Sequence, residues 1–186
     1  MKIYYNNING MASKKESLNL AVGSSTPDII ALCETKLGSK SEPKIPSYEA
    51  VYHNFKRGKE GLLVAAREGT FLDIEKMTKD EEDGDKNILA VQIVYPNFTL
   101  RVIVGHAPQE TDKSEVRERF FESLKLEVER GQLNGDRIMV VGDMNGRIQK
   151  EEDSDVINSP NGHSLTNLSD ECGLHVSNFH PNTIGK

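Results

Sequence analysis

The sequence is poor in cysteine, with only Cys33 and Cys172 among 186 residues. The two cysteines lie far apart and lack the spacing of a zinc site, which argues against a disulfide framework and a cysteine-bound metal. We therefore predict free thiols in a reducing, intracellular compartment, nuclear or cytoplasmic. The opening residues, MKIYYNNING, contain no apolar core of a secretory signal, which agrees with that expectation.

Long apolar runs and an excess of basic charge are also absent. No apolar stretch approaches the roughly 20 residues that span a bilayer, so we expect no membrane partner. The formal net charge is −6, from 23 basic and 29 acidic residues. Nucleic-acid binders usually carry a basic excess, because neutralising phosphates releases counterions. The charge thus argues weakly against nucleic acid and does not exclude it.

No internal repeat or low-complexity linker divides the chain, so we predict one domain over residues 1–186. Hydrophobic patterns predict strands over residues 2–7, 28–33, 48–53, 61–66, 71–75, 88–95, 99–105, 137–141 and 174–178. The nearly unbroken apolar run at 28–33 is typical of a strand covered on both faces. The strands at 88–95 and 99–105 flank a short turn and predict a hairpin.

Three segments have a helical pattern, at residues 13–21, 112–130 and 164–172. In the second helix, Asp112 or Ser114 is the candidate N-cap and Gly131 the candidate end, and Gly173 closes the third. Strands and helices mix without strict alternation, and several gaps are too short for a helical crossover. We therefore predict an α/β or α+β sandwich with at least one buried sheet.

Polar side chains follow three of the predicted strands. Asn7 and Asn9 end the first strand, Glu34 ends the second, and Asp143 and Asn145 follow the strand at 137–141. Each taken alone has an ordinary structural explanation, since Asn-Gly pairs are typical of turns and a single Glu after a strand is usually solvated. Residues two apart on a strand face the same side, and strand ends often present functional groups. Their joint occurrence favours a site.

Four segments resemble motifs of the endonuclease/exonuclease/phosphatase superfamily. MKIYYNNING, PDIIALCETK and VVGDMNG are similar to its N-x-N-G, Q-E-T-K and G-D-x-N motifs, with Cys33 where Gln is usual, and YHNFKRGKEGLLVAA resembles its central hairpin. GHAPQET at 105–111 and the segment 161–186 look most like endonuclease domains of non-LTR retrotransposons. The resemblance implies a DNase I-like four-layer α/β sandwich with two mostly antiparallel sheets. It also implies divalent-metal-dependent phosphodiester hydrolysis, with DNA nicking of retroelement type as the leading activity.

The resemblance assigns roles to five polar residues. Glu34 would be the main ligand of a Mg²⁺ or Mn²⁺ ion, and Asn7 would help to hold the metal or the phosphate. Asp143 would deprotonate the attacking water, and Asn145 would contact the scissile phosphate. His106 stands where the family more often has Tyr, and would bind the phosphate, although a core or turn role fits its local sequence equally well. A hard divalent ion prefers oxygen ligands, and a carboxylate beside the phosphate can accept a proton from water, so the chemistry is consistent.

The substrate depends on the charge around these residues. Asn9 and Lys36 are the candidate substrate-binding residues. A basic face formed by Lys36, Lys56, Arg57 and Lys59 would favour DNA as the partner, because phosphates attract it. Its absence would favour a phosphatase acting on small phosphate esters.

Domains of this superfamily normally continue past the point that corresponds to Lys186. The continuation supplies a Trp-containing segment, an Asp-containing strand and a terminal S-D-H motif, so the resemblance covers only the larger, N-terminal part of the domain. We expect the C-terminal strands to be missing and an apolar face to be exposed near Lys186, with a second chain or second copy as the candidate partner that covers it. The alternative from another class is a catalytically inactive or split domain that acts as a binding or assembly module.

Overall fold

The computed structural model describes residues 1–54, 60–78, 86–148 and 158–177. The helices are α1 (Lys15–Ser25), α2 (Ser114–Leu133) and α3 (Pro160–Cys172). The strands are β1 (Ile3–Asn7), β2 (Ile29–Cys33), β3 (Tyr48–His53), β4 (Leu62–Arg67), β5 (Asp73–Lys76), β6 (Ile88–Tyr95), β7 (Phe98–His106) and β8 (Arg137–Asp143).

The strands form two four-stranded sheets, in the orders β1-β2-β4-β3 and β5-β6-β7-β8. The pairs β1–β2 and β7–β8 are parallel, and the other four pairs are antiparallel. The sheets pack face to face through an apolar core. Helix α1 covers the outer face of the first sheet, while α2 and α3 cover that of the second. The predicted four-layer sandwich with mostly antiparallel sheets is therefore confirmed.

Strand β2 shows why the sheets pack in this way. All five of its residues are 0% exposed. Ile29, Ala31 and Cys33 face the second sheet, whereas Ile30 and Leu32 face the side of α1. Successive side chains of a strand point to opposite faces, so an unbroken apolar run buries both faces, as the sequence predicted.

Most strand predictions agree with the structure. β3 and β6 match the predicted bounds, and β1, β2, β4, β5, β7 and β8 differ from theirs by at most two residues. The β6–β7 hairpin is confirmed, with Tyr95 paired to Phe98. The last predicted strand is wrong over residues 174–177, because the main chain of Leu174 is bonded to Ser169 at the end of α3. The expected apolar face near Lys186 concerns residues that lie outside the described part of the chain.

Helix α1 continues through Gly23 to Ser25, four residues beyond the predicted end. The hydroxyls of Ser24 and Ser25 donate hydrogen bonds to the main-chain oxygen of Ala21, which extends the last turn. Thr26 then adopts a left-handed conformation and ends the helix before Pro27. The Gly-Ser-Ser-Thr-Pro run therefore ends the helix at its last two residues rather than at its first.

The predicted caps of α2 are wrong. Neither Asp112 nor Ser114 is the N-cap, because Lys113 occupies that position, and its side chain makes no cap hydrogen bond. The carboxylate of Asp112 instead accepts from the main-chain nitrogen of Gln109. Gly131 lies inside the helix, where a Cβ would approach the side chains of Ile138 and Arg101 to within 2.4 and 2.7 Å. Close packing, not helix termination, is therefore the reason for this glycine.

Helix α3 begins four residues earlier than predicted. Ser159 is its N-cap, with Pro160 in the first turn, and Gly173 ends it in a left-handed conformation as predicted. Both cysteines are buried and free, as the sequence predicted. Over the described ranges, no helix has the length and apolarity that crossing a membrane requires.

Candidate functional site

The parallel strand pairs bring the predicted site residues to one end of the sandwich. Asn7 pairs with Cys33 at the end of β1 and β2, and His106 pairs with Asp143 at the end of β7 and β8. β1 and β2 also contact β8 across the two sheets. The carboxyl ends of four strands therefore meet, and Glu34 directly follows one of them.

Asn7 is the centre of this arrangement. Its Nδ2 donates to Oε1 of Glu34 at 2.8 Å and to Oδ2 of Asp143 at 3.0 Å. Its Oδ1 is buried and accepts no hydrogen bond from the described residues. A buried amide oxygen without a partner is costly, so the geometry leaves one oxygen free for a ligand.

Glu34 is held as a carboxylate. Its Oε2 forms a 3.0 Å ion pair with Nζ of Lys36, and Nε2 of His106 lies 3.7 Å from Oε1. The hydrogen bond from Asn7 lowers the pKa of Glu34 most; partial burial opposes it, and the charges of Lys36 and His106 lower it further. The carboxylate is therefore ionised at neutral pH.

Asp143 and Asn145 form a tight turn after β8. Oδ1 of Asp143 accepts from the main-chain nitrogen of Asn145 at 3.1 Å, so each oxygen of the carboxylate has one donor. Nδ2 of Asn145 donates to the main-chain oxygen of Ala107 at 2.7 Å. This bond fixes which end of the Asn145 amide carries the nitrogen, and it leaves one N–H of that nitrogen unused.

Left-handed backbone conformations collect at the site. Asn9, Glu34, Lys36 and Asn145 have φ values of 47°, 53°, 52° and 44°. For a residue with a Cβ such a conformation costs about 1–2 kcal/mol, and it persists where surrounding bonds impose it. The main-chain oxygen of Glu34 accepts from Gly10, and its neighbour Thr35 bonds to Gly61. Nothing in the sequence predicted the left-handed conformations of Glu34 and Lys36, whereas the Asn-Gly pairs at Asn9 and Asn145 are typical of turns.

All seven predicted residues belong to one connected network. Lys36 Nζ contacts both Glu34 and Oδ1 of Asn9, which links the substrate-binding candidates to the rest. Their chemical roles stay predictions. A cleft of ≈ 400 Å³ opens beside them, lined by Glu34, Glu60, Asn87, His106, Ala107, Pro108, Gln109, Asp112, Val116, Asp143 and Asn145. Glu60, in the loop before β4, and Asp112, in the loop before α2, also line the cleft, and no motif in the sequence predicted them as site residues.

Tyr5 and Cys33 lie close to the two carboxylates, and the sequence did not predict them as neighbours of the site. The Cys33 thiol donates to the main-chain oxygen of Gly105 at 3.4 Å. Burial raises the pKa of Cys33 to about 11 and raises that of Tyr5 as well. Both groups therefore stay neutral near neutral pH, and Cys33 is not a nucleophile there.

The donor set fits a hard divalent cation. Glu34 and Asp143 offer carboxylate oxygens, and Oδ1 of Asn7, the residue whose Nδ2 joins them, has no hydrogen-bond partner among the described residues. Within the described ranges, no three His, Cys, Asp or Glu side chains converge as a complete metal cage. Mg²⁺ usually keeps several waters and needs only one or two protein carboxylates, so an open set of this kind suits it.

The chain is similar to several known proteins. Residues 7–157 match the model of the Endonuclease/Exonuclease/phosphatase family. Exodeoxyribonuclease III of Haemophilus influenzae is 26% identical over 153 residues, which is 78% of this chain but 57% of that protein. The chain thus spans little more than half the length of this curated relative.

Two solved structures have the same fold. An AP endonuclease from Archaeoglobus fulgidus superposes with a TM-score of 0.73 at 19% identity, over 98% of this chain and 76% of that one. A 3′ phosphatase from Neisseria, bound to a product DNA hairpin, gives a TM-score of 0.69 at 18% identity, over 91% and 70%. At these identities the likeness is one of fold.

Proposed function

This chain belongs to the Endonuclease/Exonuclease/phosphatase family, and from that premise we propose that it hydrolyses phosphodiester bonds with the help of a divalent cation. The observation that carries the proposal is the amide of Asn7, whose nitrogen donates to both Glu34 and Asp143 and whose buried oxygen has no partner among the described residues. Two carboxylates joined through one amide nitrogen, with the oxygen of the same amide left without a partner among the described residues, are suited to a cation and an anionic substrate.

Glu34 and Oδ1 of Asn7 would hold the cation, Mg²⁺ or Mn²⁺. When bound, such an ion supplies polarisation of the phosphoryl oxygen and stabilises charge on the leaving oxygen. Lys36 neutralises part of the Glu34 charge, and its ammonium lies 3.0 Å from Oε2 of Glu34, a residue that lines the cleft. With Asn9 it is our candidate for binding the substrate backbone.

Asp143 would act as the general base. Each of its oxygens accepts one hydrogen bond, from Asn7 and from the main chain of Asn145, so remaining lone pairs can accept a proton from water. The free N–H of Asn145 would donate to the phosphate without adding charge. His106, whose Nε2 lies 3.7 Å from Oε1 of Glu34, would donate to a phosphate oxygen.

We propose DNA as the substrate and a nicking activity of retroelement type. Support comes from GHAPQET and the segment after residue 160, which resemble retrotransposon endonucleases, and from the DNA-bound state of the Neisseria neighbour. Lys36 is the described member of the expected basic face; Lys56, Arg57 and Lys59 lie outside the described residues.

Nicking of supercoiled plasmid tests this proposal. We expect relaxation with Mg²⁺ or Mn²⁺, none with a chelator, and none from Asp143→Ala. No cleavage by the purified chain under any of these conditions would contradict it. Recovery on adding the C-terminal segment of a longer relative would then indicate a split enzyme, whereas binding without cleavage would indicate an inactive binding module.

A second candidate is a phosphatase for small phosphate esters. It is favoured by the four carboxylates that line the cleft, from Glu34, Glu60, Asp112 and Asp143, because they disfavour the close approach of a polyanion. Release of inorganic phosphate from a panel of monoesters, with plasmid left intact under the same conditions, would select this function over DNA cleavage.

A further inference from the structure

We propose that Asn161 is a positioning residue for the reaction: its buried amide holds the turn that carries Asn145 against the segment that follows His106. The proposal rests on the proposed function, since it concerns the geometry of that site. Asn161 lies in the first turn of α3, and its side-chain oxygen has no hydrogen-bond partner among the described residues. Its side-chain nitrogen acts on the site through main-chain oxygens.

The side chain of Asn161 bridges two loops. It is 1% exposed, and its Nδ2 donates to three main-chain oxygens, those of Pro108 at 2.8 Å, Asn145 at 3.1 Å and Met144 at 3.2 Å. The NH₂ group has two hydrogens for three acceptors, so at least one hydrogen is shared between two oxygens. Pro108 follows β7 and Asn145 follows β8, and the amide therefore links the loops beyond both strands.

This bridge reinforces a second one. Nδ2 of Asn145 donates to the oxygen of Ala107, the residue before Pro108. The main-chain nitrogen of Asn145 in turn orients Oδ1 of Asp143. The loops that follow β7 and β8 are thus joined by the side chain of Asn145 and again by that of Asn161. A shift of Asn145 would therefore move its amide, the proposed phosphate contact, and its main-chain nitrogen, which orients the carboxylate of Asp143.

The start of α3 is itself fixed against the same turn. Oγ of Ser159 accepts from the main-chain nitrogen of Arg147 at 2.9 Å, and the nitrogen of Ser159 donates to the oxygen of Arg147 at 3.0 Å. A Cβ on Gly162 would lie 1.9 Å from that oxygen, and one on Gly146 would lie 2.8 Å from the nitrogen of Gly162. The two glycines allow the backbones to touch, so Asn161 is anchored on a rigid support.

A purely structural role does not explain the choice of asparagine. Oδ1 of Asn161 is buried and has no partner among the described residues, which carries a desolvation penalty. An apolar side chain of similar size would fill the space without that penalty. Only the donors of Nδ2 distinguish asparagine from such a side chain, and those donors point at the site loops.

The experiment compares Asn161→Asp and Asn161→Ser with Gln132→Glu. Asp keeps the shape and removes the donors, while Ser keeps a single donor and introduces no charge. Nε2 of Gln132 donates to the oxygen of Cys172 at 2.7 Å and so anchors the other end of α3, about 16 Å from Asn161 along the helix. Gln132→Glu therefore removes a matched amide–carbonyl bond from the same helix, far from the site.

We expect kcat for plasmid nicking to fall about 100-fold in Asn161→Asp, with KM changed less than about threefold, because displaced groups slow the chemical step more than binding. Asn161→Ser should recover part of that loss. Gln132→Glu should keep the wild-type kcat when all proteins are assayed well below their melting temperatures. Equal kcat values in Asn161→Ser, Gln132→Glu and wild type would overturn the proposal.

A second measurement needs no activity. In ¹⁵N-asparagine-labelled protein, the side-chain amide signals of Asn145, assigned with Asn145→Ser, report its bond to Ala107. They should shift or broaden in Asn161→Ser and stay unchanged in Gln132→Glu. Unchanged signals in Asn161→Ser contradict the positioning role even in a wild-type protein that cleaves nothing, whereas shifted signals without wild-type cleavage refute only the proposed function.

Discussion

Strands β7 and β8 carry a polar cluster at each end, and the two clusters differ in how fully they are paired. The closed cluster, at the start of these strands, consists of Gln92, Arg101, Glu127, Arg130 and Asp136. The open cluster, at their carboxyl ends, consists of Asn7, Glu34, His106, Asp143 and Asn145. Arg101 and His106 are five residues apart on β7, a separation of about 17 Å.

The closed cluster satisfies itself. Nε of Arg101 lies 3.0 Å from Asp136 and its Nη1 lies 3.4 Å from Glu127. The side chains of Arg101, Asp136 and Glu127 are 2%, 3% and 9% exposed. Arg130 and Gln92 donate to the remaining oxygens, so each of the four carboxylate oxygens has a donor. Two arginines balance two acids, which makes the cluster a structural tie between the second sheet and α2.

The open cluster leaves charge and an acceptor unbalanced. Two carboxylates face one lysine, Oδ1 of Asn7 has no partner among the described residues, and left-handed residues surround it. Near the carboxyl end of β8 the fold therefore tolerates an unpaired buried oxygen and strained backbone conformations. The carboxylates of the closed cluster at the other end all have donors. Unpaired polar groups at a cleft indicate a ligand, whereas paired ones indicate stability.

Glu34→Gln should break the open cluster with the largest effect on activity. The substitution removes the main charge offered to the cation, and we expect a loss of about 10³-fold in Mg²⁺-dependent nicking, since a bound metal contributes several kcal/mol of transition-state stabilisation. Calorimetry should show weaker Mn²⁺ binding. Glu129→Gln, on the exposed face of α2, is the control and should retain both activity and Mn²⁺ binding. Wild-type Mn²⁺ affinity in Glu34→Gln would remove Glu34 as a ligand.

Arg101→Met should break the closed cluster instead. Asp136 and Glu127 would keep buried charges without their main partner, and we expect the free energy of unfolding to fall by about 3–5 kcal/mol. The measurement is urea unfolding, with nicking assayed where the variant is folded. A stability loss below about 1 kcal/mol would mean that the cluster is not a structural tie.

His106→Ala tests whether His106 is a functional member of the open cluster. If His106 donates to the phosphate, its removal should lower turnover about 10- to 100-fold, the value of one hydrogen bond to a charged group. Turnover is measured at saturating substrate, with melting temperature as the check on folding. An unchanged turnover would remove His106 from the site.

The pKa of Glu34 predicts the smallest effect, a pH dependence of stability. Because the folded state lowers this pKa, the ionised carboxylate contributes stability above its unfolded value of about 4.3, and that contribution is lost as pH falls through the lower folded value. The difference in unfolding free energy between wild type and Glu34→Gln should therefore be constant from pH 7 to 5 and shrink only in stronger acid. A decline that begins above pH 5 would contradict the lowered pKa.

The sequence predicted the residues of the open cluster but not those of the closed cluster. Asn7, Glu34 and Asp143 each follow an apolar strand, so strand patterns and motif spacing predicted that they meet. Arg101 and Asp136 pair over long range, and a charged residue in a sequence is by default assigned to solvent. Local pattern therefore predicted the open cluster and missed the closed one.

The sequence pattern predicted the start of α3 four residues too late, and for a different reason. Ser159 and Pro160 are a typical helix start, but Asn161 and Gly162 are typical of a turn, and the prediction began at residue 164. The bonds of Asn161 to two loops exist only in the folded chain. The strands and the motif residues were thus predictable, whereas the helix ends and the residues that support the site depend on tertiary contacts.

The most direct test of the account compares the acid that precedes β8 with the acid that ends it, through Asp136→Asn and Asp143→Asn, in the same assays of plasmid nicking and urea unfolding. We predict that Asp143→Asn loses about 10²- to 10⁴-fold in nicking with stability retained, because it removes the general base from a site that is not built for stability. Asp136→Asn should lose about 2 kcal/mol of unfolding free energy and keep its nicking rate. Full nicking by Asp143→Asn, or an equal loss of nicking in both variants, would contradict the division of β8 into a catalytic end and a structural end.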